Sequence, residues 1–241
     1  MNKKGFTLAE VLITLGIIGI IATMTIPTLM ANYQKTIYAT GLKEAYSIFN
    51  QALLNLTRDY DCPGDLACTG LLENKGYLLT LLPEAIVKYF KVVKNCGQTA
   101  DQGCLSDKVD LYYDGTANNS NYDMDGMGWY SFITADGISF AIQMLDNGGT
   151  SLSKGVTNDM TKVHGQLIVD VNGPNKGPNY LGRDIFWFFI TNGHGAKIYP
   201  VGGADDGWFD TWQNQHACQQ INRDSHYCTG RIMDEGWQMK Y

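Results

Sequence analysis

The chain has 241 residues, with 18 basic and 24 acidic side chains and a formal net charge of −6. Nucleic-acid phosphates need clustered lysine and arginine, so this acidic balance without a basic stripe excludes a general nucleic-acid-binding surface. Twelve per cent aromatic residues, 27 glycines and six prolines describe a globular, loop-rich chain and exclude a disordered one.

The first element is an apolar helix with an acid at its edge. Lys3-Lys4-Gly5-Phe6-Thr7-Leu8-Ala9-Glu10 leads directly into Val11-Leu12-Ile13, and the next charge after Glu10 is Lys35. Residues 11–34, 24 in all, therefore carry no formal charge. As a helix rising about 1.5 Å per residue, that stretch crosses a hydrocarbon core about 30 Å thick. An ionisable side chain in such a span is costly and marks function by default. A secretory signal peptide has an apolar core of about 7–15 residues closed by a small-x-small cleavage site. Here the run is longer, and no such triplet closes it between Met24 and Ala31. A plain signal anchor accounts for the length and the basic flank, but leaves Glu10 without a purpose.

Lys-Lys-Gly-Phe-Thr-Leu-x-Glu ahead of an apolar helix resembles the class III signal of type IV pilins and type II secretion pseudopilins, over roughly residues 1–57. The resemblance implies that prepilin peptidase cuts between Gly5 and Phe6 and that the new Phe6 amine is N-methylated. It implies that Glu10 is the assembly carboxylate. A carboxylate in lipid seeks a cation, and the Phe6 ammonium of a neighbouring subunit is the candidate. Lys3 and Lys4 hold the leader in the cytoplasm by the positive-inside preference. The chain is then a single-pass protein of the inner membrane with its head outside. The implied partners are further copies of the chain, other pilin-like subunits, the prepilin peptidase/methyltransferase and an inner-membrane assembly platform. The implied fold is α+β and pilin-like, with a long N-terminal helix packed on a mostly antiparallel sheet. Its divisions are a leader at 1–5, a helix at 6–57 and an extracytoplasmic head at 58–241. Within the helix, 6–31 spans the membrane or the filament core and 32–57 is amphipathic.

The residues of the second part of the helix support that division. Tyr38, Leu42, Ala45, Phe49, Ala52 and Leu56 recur at steps of three and four and so share one face. Pro27 and Gly41 are expected to kink the helix or melt it locally. Tyr77 to Leu82 forms an apolar run ending at Pro83, and Glu84 to Val93 reads as a short helix. Asp114 to Gly128 reads as loop. Trp129–Thr134 and Ile138–Met144, joined through Ala135-Asp136-Gly137, read as a hairpin with glycine supplying the positive φ of the turn. Gln166–Val171, Phe186–Ile190 and Ala196–Tyr199 are three further strands. Short connections make the sheet mostly antiparallel. Ile232, Met233 and Trp237 suggest a short amphipathic helix within Cys228–Tyr241.

Six cysteines, at 62, 68, 96, 104, 218 and 228, lie in the part read as exterior. An even count in an exported domain favours disulfides, and six cysteines permit 15 pairings. The expected set is local, Cys62–Cys68, Cys96–Cys104 and Cys218–Cys228, since each pair brackets a loop-like stretch. Crossed pairing of the first four is the alternative. The Cys218–Cys228 loop also resembles the disulfide-bounded region of many type IV pilins. Zinc finds no support: there is no C-x-x-C, and His164, His194, His216 and His226 show no ligand spacing with the cysteines.

No cofactor is implied with certainty, but one stretch has the composition of a cation site. Asp170, Asn172, Asn175 and Asp184 bring side-chain oxygens into a glycine-rich segment that could wrap calcium. Pro174 in the third ligand position and the lack of a late glutamate depart from the EF-hand pattern. The competing reading is a rigid turn in which Asn and Asp cap their own backbone.

Catalytic signatures are missing: there is no G-x-S-x-G, H-E-x-x-H or Walker-type loop. The expected function is therefore structural and not enzymatic. It is that of a processed subunit assembled through its helix into a type II secretion pseudopilus or a type IV pilus. A minor or tip subunit acting as a binding module, with aromatics around Trp208 to Trp212, is the alternative. A membrane-anchored exported enzyme is a more distant one.

Overall fold

Helix α1 runs from Leu8 to Asp59 without a break, through both Pro27 and Gly41. Proline has no N–H, so the Thr23 carbonyl one turn back loses its helical partner, yet the helix continues. The computed structural model describes residues 5, 7–72, 81–99, 102–106, 109–110, 121–122, 128–145, 163–192, 195–203, 218 and 225–241. The chain divides into two compact units, Met1–Ile37 and Tyr38–Tyr241.

In the first unit α1 is the only described element, and none of its described residues is buried. The second unit is built on a six-stranded sheet. Its strands are β1 (Val92–Gly97), β4 (Tyr130–Thr134), β5 (Ser139–Met144), β6 (Val163–Asp170), β7 (Ile185–Thr191) and β8 (Lys197–Pro200). They lie side by side in that order, every neighbouring pair antiparallel. The two-residue strands β2 (Val109–Asp110) and β3 (Asn121–Tyr122) pair separately, so part of the stretch expected as loop is strand. The rest of Asp114–Met127 lies outside the described residues.

Register explains the core. Phe132 lies opposite Phe140, Phe140 opposite Val169, and Val169 opposite Phe186. Side chains alternate between faces with a period of two, so these residues form one apolar row across four strands. Leu42, Ala45, Phe49, Leu53 and Leu56 of α1 share the core cluster with that row, and all five are fully buried. The Phe49 ring lies tilted against that of Phe140, with centroids 5.9 Å apart. Trp129, Ala141, Ile168 and Ile185 belong to a second buried cluster with Leu105 and Val109. Strands buried on both faces read as nearly continuous apolar runs, as Ile185–Thr191 does.

Asp136-Gly137 makes the β4–β5 turn, with Gly137 at φ 83° and its N–H bonded to the Thr134 carbonyl. Two expectations need correction. Helix α2 covers Leu81–Ile86 and continues as a 3-10 turn over Val87–Tyr89, not Glu84–Val93. Pro83 sits in the first turn, where its missing N–H costs nothing. Val92 and Val93 instead enter β1, where Val92 pairs with Thr134. At the other end, α3 covers Cys228–Asp234. Trp237 lies beyond it at φ 62° and packs its ring 5.4 Å from Tyr46 of α1. Residues 77–80 lie outside the described residues.

Candidate functional site

The N-terminal segment sets Glu10 in a capping box. Thr7 precedes the first helical residue, and its hydroxyl oxygen accepts from the Glu10 N–H at 3.3 Å. The Glu10 carboxylate accepts in return from the Thr7 N–H at 2.8 Å and from the Thr7 hydroxyl at 2.9 Å. This T-x-x-E arrangement satisfies donors that a helix start leaves open. A carboxylate beside the positive end of the helix dipole is also favoured.

Beyond Glu10 the helix presents aliphatic side chains outward, among them Leu12, Ile13, Ile17 and Ile18, each more than half exposed. Three of its threonine hydroxyls are turned inward upon the backbone. Thr14 donates to the Val11 carbonyl at 2.9 Å, Thr23 to Ile20 at 2.8 Å and Thr25 to Ile21 at 2.9 Å. In hydrocarbon such donors have no water to turn to, so internal bonding makes the span compatible with lipid. By length and composition α1 can cross a membrane. Gly5 is exposed with no atom within 4 Å of where a Cβ would stand, whereas Phe6 lies outside the described residues.

In the second unit the cysteines join as Cys62–Cys68, Cys96–Cys104 and Cys218–Cys228, with Cα separations of 5.8, 6.2 and 4.9 Å. None is free. Cys218 and Cys228 are both buried in the main core. Gly182, at φ 80°, presses so close that a Cβ there would stand 2.7 Å from the Cys228 sulfur.

The β6–β7 connection brings Asp170 and Asp184 together. Asp170 ends β6, Asp184 immediately precedes β7, and both are buried. Asp170 Oδ1 accepts from the Asn172 N–H at 3.1 Å and the Gly173 N–H at 2.8 Å. Asp184 accepts from the Asn179 N–H at 2.9 Å and the Tyr180 N–H at 2.8 Å. Burial pushes the Asp170 carboxyl up to about 7, with the Asp184 charge adding to the rise. Burial raises Asp184 as well, against the opposing pull of those two N–H groups. Asn172 lies between them and α1: its side chain reaches both the Asp184 carboxylate and the Tyr38 hydroxyl.

Of the four residues expected from sequence, Asp170, Asn172 and Asp184 thus meet, while Asn175 is exposed on the turn and makes none of these contacts. Asn179 joins them instead. It carries no local signal in the sequence beyond being an asparagine, which tolerates its φ of 57°. Among the described residues no group of three acidic, histidine or cysteine side chains is placed to hold a metal. His194, His216 and the aromatic segment 208–212 lie outside the described residues.

Residues 1–26 match the prokaryotic N-terminal methylation motif. The chain carries the prepilin-type signal of type IV pilins and pseudopilins. The long helix followed by an antiparallel six-stranded sheet gives it a pilin-like α+β architecture. No curated protein and no solved structure matches the chain. The motif implies processing by prepilin peptidase, and with the apolar helix it is consistent with anchoring in the inner membrane.

Proposed function

We propose that the chain is a structural subunit of a pilus or pseudopilus. It is cut between Gly5 and Phe6, N-methylated on Phe6, held in the inner membrane by α1 with the head outside, and assembled through that helix. The observation that carries this reading is Glu10, alone in charge at the head of a 24-residue uncharged stretch (residues 11–34) and one turn from the cleavage pair. Supporting it are the methylation motif and an exposed Gly5 that a peptidase can reach.

The capping box suggests how such an acid waits in lipid. In the single chain the Glu10 carboxylate is occupied by Thr7 donors. Assembly then adds a charge partner, the Phe6 ammonium of the next subunit, to a group already desolvated. A pair formed where both charges have left water is worth more than the same pair at a surface.

Mass spectrometry of the mature protein tests the processing step, with an N-methylated Phe6 terminus expected. An intact Met1, or a cut after residue 22, would sink it. Glu10→Ala tests the assembly step. The variant should be processed normally and lose filaments at least tenfold by electron microscopy, since removing one partner strands the other charge. Normal filaments would refute the pairing while leaving the processing result intact.

A further inference from the structure

Between α1 and the edge strand β8 the head has a cleft of about 630 Å³, a size that suits a small ligand. Lys43, Tyr46, Ser47 and Gln51 lie three or four residues apart and line it from one face of α1. Lys197 of β8 and Trp237 line it from the other elements. Trp237 is half-buried, and its φ of 62° is unusual for so bulky a residue. Its N–H donates to the Ile232 carbonyl at 2.7 Å, which holds the backbone in that conformation. Side chains kept in strained backbone regions gather at ligand sites. The indole packs 5.4 Å from the Tyr46 ring, which lies 6.0 Å from Phe188 of the core, so the aromatic wall is firmly backed. Neither Lys43 nor Lys197 forms an ion pair among the described residues, and no described residue lining the cleft is acidic. In a chain of net charge −6, this cleft is locally cationic.

We propose that this cleft binds an acidic saccharide, a short run of uronic-acid rings. The apolar C–H face of a pyranose ring packs on the Trp237 indole, and the ring carboxylates are met by the Lys43 and Lys197 ammoniums. Sugar hydroxyls find polar partners on the α1 side. Gln51 Nε2 donates to Asn55 Oδ1 at 3.2 Å, which leaves Gln51 Oε1 to accept from a hydroxyl. The Ser47 hydroxyl both donates and accepts. A mostly apolar wall with a few placed polar and charged groups is the usual make-up of a small-ligand site.

The edge of β8 argues against an acidic peptide in the same place. An extended peptide would add to the sheet through main-chain donors on the outer side of β8. Those positions are closed. The Ile198 N–H donates to Asn50 Oδ1 of α1 at 3.0 Å, and the Ala196 N–H to the Gly64 carbonyl at 2.9 Å. Pro200 has no N–H to offer. Asn50 is itself held at both ends, since its Nδ2 donates to the Tyr46 carbonyl at 2.8 Å. The cleft therefore recognises its ligand through side chains, as a saccharide site does. The proposal does not depend on filament assembly.

The test is calorimetric titration of the full chain in micelles of a polyoxyethylene detergent, which carries neither charge nor sugar. The probes are trigalacturonate, trimannuronate and a hyaluronan tetrasaccharide, with neutral maltotriose and a triglutamate peptide as comparators. At least one acidic oligosaccharide should saturate a single site below about 10 mM, and maltotriose should bind at least about tenfold more weakly. The double change Lys43→Glu with Lys197→Glu should weaken that binding at least about fivefold. Trp237→Ala should weaken it by about fivefold to tenfold. The lysine pair carries the test if Trp237→Ala fails to fold, because Lys43 is exposed and Lys197 lies outside the core. No binding of any acidic oligosaccharide, or binding unchanged in the lysine variant, would overturn the proposal. Triglutamate bound as tightly as the best saccharide would overturn it too, in favour of an acidic peptide partner.

Discussion

Along one helix, Leu8–Ile37 and Tyr38–Asp59 treat their apolar residues in opposite ways. In the first stretch none of the described residues is buried, and isoleucines and leucines point outward on every side. In the second, Leu42, Ala45, Phe49, Leu53 and Leu56 are fully buried, while polar residues such as Glu44 and Gln51 face out. A helix apolar all round must find its apolar environment elsewhere, in lipid or in other chains, whereas an amphipathic one finds it within its own domain. Continuous backbone hydrogen bonding therefore does not mean a single physical role.

Substitutions in the two stretches should separate those roles. The largest effect on head stability is expected from Phe49→Ala, which empties a site packed by Phe90 at 5.7 Å and Phe140 at 5.9 Å. A loss of about 3–5 kcal/mol is expected in chemical denaturation of the full chain. Ile17→Ala, in the outward-facing stretch, should change the same transition by no more than about 0.5 kcal/mol; a comparable loss would mean that the two stretches share one core. Next in size is the paired change Cys218→Ser with Cys228→Ser. Opening that loop should cost about 2–4 kcal/mol, measured the same way. Reduction of the wild type should reproduce part of that loss and leave α1 helicity largely intact by circular dichroism, since all six cysteines follow α1.

Glycine sharpens the contrast further. Gly41 faces Val171 at close quarters, so Gly41→Leu should destabilise the head by about 1–3 kcal/mol through overpacking. Gly16 and Gly19 meet nothing within 4 Å, so Gly16→Ala and Gly19→Ala should leave the single chain's head unchanged and favour the helix slightly. A clash of either alanine with assembly, seen as fewer filaments, would then report close approach by another chain.

These regions are unequally legible in the sequence, for physical reasons. Charge spacing exposes the first stretch, because a membrane span needs about 20 consecutive apolar residues and a globular core seldom does. Helical spacing exposes the second, and Asp-Gly between alternating runs exposes the β4–β5 hairpin. Both are local signals. Glu84–Val93 misleads because valine suits either structure, and only pairing with Thr134 across the sheet settles Val92 as strand. Trp237 has helical spacing, but Gly236 at φ 75° has already ended the turn. The composition of the β6–β7 loop suggests oxygen ligands without indicating which ones are buried. That depends on how the loop folds back on β6, so composition points to Asn175 and passes over Asn179.

The smallest effect concerns protons. Residues 11–34 hold no histidine or carboxylate, so the pH response of head unfolding near neutrality is read from groups in the head. His164 in β6 is the useful probe. Burial lowers its pKa below the ordinary 6.5, and the nearby Asp65 charge only partly restores it. The unfolded chain then takes up a proton on this histidine before the folded one does. Stability from neutral His164 is thus present above about pH 6.5 and declines as pH falls toward the lowered folded value. Asp170, raised to about 7, acts in the opposite direction over the same range: its folded form holds the proton more tightly, so it favours folding as pH falls. The total slope mixes these two with other head groups, Asp184 among them, and the difference between His164→Gln and wild type isolates the histidine. In calcium-free denaturation at pH 7.5 and 5.5, wild type should lose more stability relative to the variant at the lower pH. An identical difference at both values would mean that His164 titrates in the folded head as it does in the unfolded chain.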